Sequence, residues 1–226
     1  DQSSAASDVY KRQINYRLAE DQIKALLKRV SPASLISDDA PEVEGISLIS
    51  PAQVFSPGTP WDGFAPDEEG GVAIELFTSG TTGDPKSAIL HHDNLMAYIL
   101  GTIEFMSAEE TQSTLVSVPP YHIAGISAIL SSVYAGRRMV QLPNFSPEAW
   151  LKLAIQENVS QAFLVPTMLQ RIIEHVTNIN ETLHLPAMQS IAYGGGKMPH
   201  AVIEQAMSIM PHVNFTNAYG LSLIHI

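Results

Sequence analysis

Val72-Ala73-Ile74-Glu75-Leu76-Phe77 leads directly into Thr78-Ser79-Gly80-Thr81-Thr82-Gly83-Asp84-Pro85-Lys86. The first six residues are largely apolar and β-prone and read as a strand. The nine that follow carry two glycines, four hydroxyl side chains, one proline and one lysine. Gly80 and Gly83 open backbone conformations closed to other residues and let a ligand come close to the main chain. Ser79, Thr81, Thr82 and the freed backbone N–H groups are donors, and Lys86 adds a positive charge. That inventory suits a polyphosphate. A surface turn has the same composition and stands as the plain alternative. A Walker A loop is excluded by spacing, because it needs Gly-Lys-Ser/Thr in succession whereas Pro85 precedes Lys86.

The same run resembles the signature of the adenylate-forming (AMP-binding) superfamily, which includes acyl-CoA synthetases, luciferases and peptide-synthetase adenylation domains. Its pattern reads aromatic-Thr-Ser-Gly-Thr-Thr-Gly-x-Pro-Lys, and Phe77 to Lys86 matches every specified position. Ser87 stands where the family usually has a further glycine. The resemblance implies that Thr78, Ser79, Gly80, Thr81, Thr82, Gly83 and Lys86 hold the β- and γ-phosphates of ATP. It also implies that Lys86 is catalytic, by neutralising the departing pyrophosphate.

The chain has 226 residues, enough for one large domain or two small ones. Its apolar content of 45% and charged content of 15% are those of a globular protein. A net charge of −11 argues against nucleic acid as a partner. It also means that an anionic ligand must be held by local groups and not by the overall field. The absence of cysteine excludes disulfides, thiolate metal sites and a cysteine nucleophile. No apolar run reaches the roughly 18 residues of a membrane helix, so no integral membrane segment is expected. Together these suggest a cytoplasmic location.

Asp1 to Gln13 shows no periodicity and is expected to be disordered. Ser7 to Gln13 resembles translated sequencing-adapter sequence and is expected to be non-native, as are residues 222–226. Leu18, Ile23, Leu26, Leu27 and Val30 share one face of a helix running from Ala19 to Val30. Ala33 to Ser37 and Ile46 to Ser50 read as short strands, and Pro51 to Gly71 as a long loop pinned by Trp61 and Phe64. After the glycine-rich loop, Ala88-Ile89-Leu90 reads as a strand and Asn94 to Phe105 as a helix capped by Asp93. His91 and His92 look like metal ligands only superficially, since no third ligand stands at helical spacing.

From Thr114 onward strands and helices alternate. Strands are expected at Leu115–Val118, Arg138–Leu142, Gln161–Val165, Gln189–Tyr193 and Val213–Thr216. Helices are expected at Ile123–Tyr134, from Ser146-Pro147, at Thr167–His175 and at Pro199–Ile209. Ser146 reads as an N-cap with Pro147 at the first helical position. The alternation predicts an α/β fold with a largely parallel sheet and packed helices.

Three further motifs bear chemistry. Pro119-Pro120-Tyr121-His122-Ile123-Ala124-Gly125 follows a strand, where parallel sheets present ligands. A lone histidine there is often only structural. The resemblance to the family's Pro-x-aromatic-His motif implies that His122 lies near the reacting carboxylate, as a catalytic residue, and that Gly125 leaves room for an acyl chain. Gly194-Gly195-Gly196 precedes Lys197 and Pro199 and lets a flat ring lie on bare backbone. It is not a dinucleotide fingerprint, because Pro199 takes the place of the last glycine. By resemblance these glycines line the adenine and acyl pockets, while Lys197 is read as solvated.

Asn217-Ala218-Tyr219-Gly220 matches the family's polar-x-Tyr-Gly run. It implies adenine stacked on Tyr219 and its edge bonded by Asn217, with Gly220 letting Ser222 reach the α-phosphate. Leu223 stands where the family has a magnesium-binding glutamate and cannot ligate Mg²⁺, so no metal ligand is assigned.

The resemblance covers residues 14–221, a partial N-terminal adenylation domain without the C-terminal domain. It implies activation of a carboxylic acid, fatty or aryl, by ATP and Mg²⁺ to an acyl-adenylate, then thioester formation with coenzyme A. Transfer to a carrier-protein thiol, or an inactive nucleotide-binding fragment, are the alternatives. The acid itself is not legible.

Overall fold

The structure is a computed structural model that describes residues 11–54, 56, 71–78, 86–179 and 183–218. It divides into two compact units, residues 1–91 and 92–226.

The first unit opens on strand β1, Lys11–Gln13. These residues were expected to be disordered. They instead pair in parallel with β4, Val72–Thr78, with Arg12 abreast of Glu75. Three residues are too few to show a period, so tertiary pairing decides the strand. Helix α1, Glu20–Val30, turns its apolar face inward through Leu26, Leu27 and Val30, which are buried. Gln22 accepts a hydrogen bond from the Ala19 N–H at 3.2 Å, and Glu20 pairs with Lys24 at 2.6 Å. Acids in the first turn and Lys28 and Arg29 in the last suit the helix dipole.

Strands β2, Ala33–Ile36, and β3, Ile46–Ile49, form a separate parallel pair. Helix α2, Pro51–Val54, occupies the start of the stretch expected to be loop. Pro51 pre-sets the first turn, and the Ser50 side chain and Gln53 cap it by reciprocal hydrogen bonds. Trp61 and Phe64 lie outside the described residues. Strand β5, Lys86–His91, runs antiparallel to β4, giving the order β1-β4-β5.

The second unit begins with α3, His92–Thr102. The helix starts ahead of Asp93, which therefore sits in the first turn and not at the cap; there its carboxylate still suits the dipole. Five strands then alternate with helices. They are β6 Ser113–Val116, β7 Arg138–Gln141, β8 Gln161–Leu164, β9 Ser190–Gly194 and β10 Asn214–Ala218. The connecting helices are α4 Ile123–Ala135, α5 Pro147–Gln156, α6 Pro166–Ile179 and α7 His200–Ile209. All five strands are parallel, in the order β10-β9-β8-β6-β7.

The chain thus steps from β6 outward to β7 and returns to the other side of β6 for β8. Right-handed crossovers then place α4 on one face and α5, α6 and α7 on the other. The core agrees: Trp150, Leu169, Ile172, Ile173 and Ala206 from the latter helices, with Met210 just past the end of α7, pack with Leu115, Leu164 and Ile191 from the strands. Trp150 is fully buried.

Local devices hold these elements in place. The Ser146 hydroxyl accepts from the Ala149 N–H at 3.1 Å, with Pro147 beside it, as expected of an N-cap. Gly136 ends α4 in the left-handed region at φ 70°. Ser160 locks the β6–β8 register: its hydroxyl donates to the Ser113 carbonyl at 3.0 Å and accepts from the Ser113 N–H at 2.9 Å.

Candidate functional site

Where strand order reverses, the loops leaving the carboxyl ends of the two central strands diverge and leave a crevice. In the second unit that reversal lies between β6 and β8. The loop after β6 carries Pro119 to His122, and the residues after β8 are Val165 and Pro166. Gly194 ends β9, one strand beyond β8. At the usual strand spacing, β6 and β9 lie about 10 Å apart. His122 and the three glycines therefore share the carboxyl edge of one sheet.

His122 is the N-cap residue of α4, with extended backbone at φ −109° and ψ 144°, and its side chain does not cap the helix. Its ring is exposed and lies 4.7 Å from that of Tyr121, tilted by 54°. Tyr121 is 7% exposed, so a buried aromatic backs an exposed imidazole. Just upstream, Ser117 is buried with a hydroxyl that lacks a hydrogen-bond partner.

Gly125 does not keep space open for an acyl chain, as the resemblance suggested. A Cβ at this position would lie 2.3 Å from the Pro119 carbonyl oxygen and 2.7 Å from that of Val118. The glycine instead lets the first turn of α4 close against the end of β6.

The three neighbouring glycines divide the work expected of them together. At Gly194 a Cβ would meet the Ala218 carbonyl oxygen at 2.3 Å, so this residue admits the adjacent strand. Gly195 has φ +82°, the left-handed region that favours glycine, and its Cβ would rest 3.6 Å from Val165 Cγ1. Gly196 faces open space, with nothing nearer than Pro166 Cγ at 3.8 Å. Bare backbone for a flat ring is thus offered at Gly195 and Gly196, both exposed. Lys197 is exposed, in line with a solvated side chain.

Strand β10 extends further than the pattern indicated, and Asn217 and Ala218 belong to it, abreast of Tyr193 and Gly194. Both are exposed at the sheet edge. Of the first motif, Thr78 and Lys86 form the last pair of the β4–β5 ladder. Residues Ser79, Gly80, Thr81, Thr82 and Gly83 lie outside the described residues, as do Tyr219, Gly220, Ser222 and Leu223.

No group of three His, Cys, Asp or Glu stands together among the described residues, and His91 and His92 do not change that. No helix among them is long and apolar enough to cross a membrane. A groove of about 530 Å³ opens at the opposite, amino edge of the sheet, lined by Glu110, Arg138, Glu157 and Gln189 among others. Arg138 already pairs there with Glu157 at 2.7 Å, so this groove is remote from His122 and the glycines.

One charged group escaped the sequence reading. Glu75 is buried in β4 with Arg12 Nε 2.6 Å from its carboxylate. Burial alone would raise its pKa, but the Ser87 hydroxyl and the Arg12 guanidinium, with Arg29 further off, hold it below its ordinary value. The available signal was a lone acid inside an otherwise apolar strand.

Comparison with known proteins adds three findings. The family model described as "AMP-binding enzyme" matches residues 6–222. A 2-succinylbenzoate–CoA ligase of Bacillus cereus is 24% identical over 218 residues, covering 92% of this chain and 42% of that protein. A mitochondrial malonate–CoA ligase of Bos taurus is 24% identical over 235 residues, covering 94% and 39%. The chain therefore spans less than half the length of these relatives.

Among solved structures, the N-terminal domain of FACL13 from Mycobacterium tuberculosis superposes with a TM-score of 0.74 at 21% identity, covering 93% of this chain and 56% of that one. O-succinylbenzoate coenzyme A synthetase from Bacillus subtilis, in complex with ATP and magnesium ion, gives 0.70 at 22% identity, covering 88% and 42%. At such identities the likeness establishes the fold, that of the N-terminal domain of acyl-CoA ligases.

Proposed function

The chain belongs to the AMP-binding enzyme family, and from that premise we propose that the protein activates a small carboxylic acid with ATP and passes the acyl group to coenzyme A. The observation that carries this reading is the strand-order reversal between β6 and β8, with His122 and the glycines of β9 on the same edge. Parallel sheets bind ligands at that place.

In the proposed reaction a carboxylate oxygen attacks the α-phosphorus of ATP. The bond to the β-phosphate breaks and pyrophosphate leaves, giving acyl-adenylate. The coenzyme A sulfur then attacks the acyl carbonyl, loses its proton, and AMP departs. The acid is already ionised at neutral pH, so the first step needs no general base. What it needs is orientation of the carboxylate and stabilisation of charge on the leaving group.

Thr78 to Gly83 and Lys86 are assigned to the β- and γ-phosphates, where Lys86 offsets charge developing on pyrophosphate. Gly195 and Gly196, with bare backbone and open space above Gly196, fit the face of an adenine or acyl group. Asn217, at the exposed end of β10, is assigned to the adenine edge, Tyr219 to stacking and Ser222 to the α-phosphate. His122, exposed and backed by buried Tyr121, is assigned to the carboxylate of the acid. Among the described residues no three His, Cys, Asp or Glu side chains stand together as a site for Mg²⁺.

Pyrophosphate exchange into ATP, dependent on added acid, tests the assignment in the protein at its full natural length. Lys86→Ala should lower the exchange rate by about 10² to 10³, as for removal of other preorganised donors. Undiminished exchange would remove Lys86 from the site. Replacing coenzyme A by a carrier-protein thiol in the second step separates the two acceptors.

A further inference from the structure

The helices on the two faces of the five-stranded sheet differ in composition. On one face each helix keeps exposed charge: Glu148 and Lys152 in α5, Arg171 and Glu174 in α6, Glu204 in α7. On the other, α4 has no charged residue in thirteen, and its neighbour α3 has only Asp93 in eleven. A helix that is apolar all round is one buried on all sides. Here α3 packs beside α4, and the Phe105 ring meets that of Tyr134 edge-on at 5.3 Å. Yet Met96, Tyr98 and Leu100 of α3, Phe105 and Met106 of the following turn, and Val133 of α4 are 42% to 71% exposed. Single exposed apolar residues are ordinary, but a group of them on packed neighbours marks a contact surface.

The turn that carries Phe105 and Met106 is fixed in place. The N–H groups of Met106 and Ala108 donate to the Tyr134 and Ala135 carbonyls, each at 3.0 Å. These bonds satisfy two carbonyls that the end of α4 would otherwise leave open. Met106 holds φ 53°, a left-handed conformation uncommon for a bulky residue. Its sulfur lies over Gly136, 2.9 Å from where a Cβ would stand. The chain thus takes an unfavourable backbone conformation where two large apolar side chains stand exposed.

Length and composition point to what covers this face. Parallel sheets are covered on both sides. The solved N-terminal domain that superposes on this chain is only 56% covered by it, so a domain of that fold has close to half its length outside the matched part. A transient partner would meet a surface of ordinary polarity, whereas helices almost without charge resemble a domain core. We propose that α3, α4 and the turn after α3 form an internal interface, covered in the protein at full natural length by the remainder of its N-terminal domain. The inference rests on the fold and the family, and not on the reaction proposed above.

Residues 1–226 contain no cysteine, so introduced thiols report on this face. In the protein at full natural length, cleared of any cysteine elsewhere, Leu100→Cys and Val133→Cys should react with a maleimide about 100-fold more slowly than Lys152→Cys, because reaction waits on local opening. Lys152 is exposed in α5, on the opposite face. Should Leu100→Cys not fold, Val133→Cys carries the same readout. With p-benzoylphenylalanine in place of Phe105, irradiation should crosslink position 105 within one chain, to N-terminal-domain residues outside 1–226.

Labelling of both thiols at the rate of Lys152→Cys would overturn the proposal, since the face would then be open. Protection that disappears on dilution, with crosslinked dimers, would overturn it in favour of a second copy. Crosslinks confined to residues 1–226, or made to a C-terminal domain, would overturn the assigned occupant.

Discussion

Replacing Gly125 by alanine places a methyl group 2.3 Å from the Pro119 carbonyl oxygen, with the Pro119 carbonyl carbon and the Val118 oxygen both at 2.7 Å. Ordinary contact begins near 3.4 Å, so α4 or the end of β6 must retreat by about 1 Å. The obstructing atoms are all backbone and cannot swing aside as a flexible side chain can. Overpacking of this kind costs about 1–3 kcal/mol, and the rigid obstruction argues for the upper end. Alanine's better helix propensity returns roughly 1 kcal/mol. The net loss is about 2 kcal/mol, which in a chain of this size lowers Tm by roughly 4–8 °C.

Thermal unfolding followed by circular dichroism measures it, with Gly101→Ala as the control. Gly101 lies in α3 with nothing within 4 Å of an added Cβ, and its replacement should be neutral or stabilising by about 0.5 kcal/mol. A Gly125→Ala protein with wild-type Tm would refute the steric argument. If that stable variant also preferred shorter acids, the acyl-chain reading of Gly125 would be right and the structural one wrong.

Two further outcomes follow from the hydrogen bonds and charges. Ser146→Ala removes the acceptor for the Ala149 N–H at the start of α5 and should cost about 1 kcal/mol in urea unfolding. A change below about 0.3 kcal/mol would mean that water replaces the cap without loss. Glu75 has its pKa depressed in the folded state, so its contribution to stability is present above its unfolded value and is lost as pH falls through the lower folded one. Tm should therefore fall below about pH 4.5 more steeply in the wild type than in Glu75→Gln. The difference between the two proteins is the measurement, because Glu148 is also held low, first by its own backbone N–H and then by Ser146. Parallel pH profiles would show that Glu75 is not differentially protonated on folding.

What could be read from sequence is what rests on short-range interactions. The Ser146 cap depends on a bond three residues along, and the alternation of strand and helix beyond Thr114 announces a parallel sheet because each crossover is local. The ten-residue run ending at Lys86 carries its own chemical inventory and pointed to the family without help from the fold. Asn217 was placed one element too late, since a strand at the sheet edge ends where its neighbour β9 stops pairing.

Other features depend on segments distant in the chain. Neither the order β10-β9-β8-β6-β7 nor the crevice it creates follows from the alternation, which fixes direction but not neighbours. Lys11–Gln13 became a strand only because β4 lies beside it. Gly194 was expected to bare its backbone to a flat ring, yet the Ala218 carbonyl, from the neighbouring strand 24 residues on, lies against it. Glu75 and Arg12 stand 63 residues apart, and only the pairing of three strands brings the guanidinium to the carboxylate. By itself the sequence determined the chemistry available and the local elements that carry it. The tertiary structure decided which backbones touch and which charges meet, because both depend on strand register across long stretches of chain.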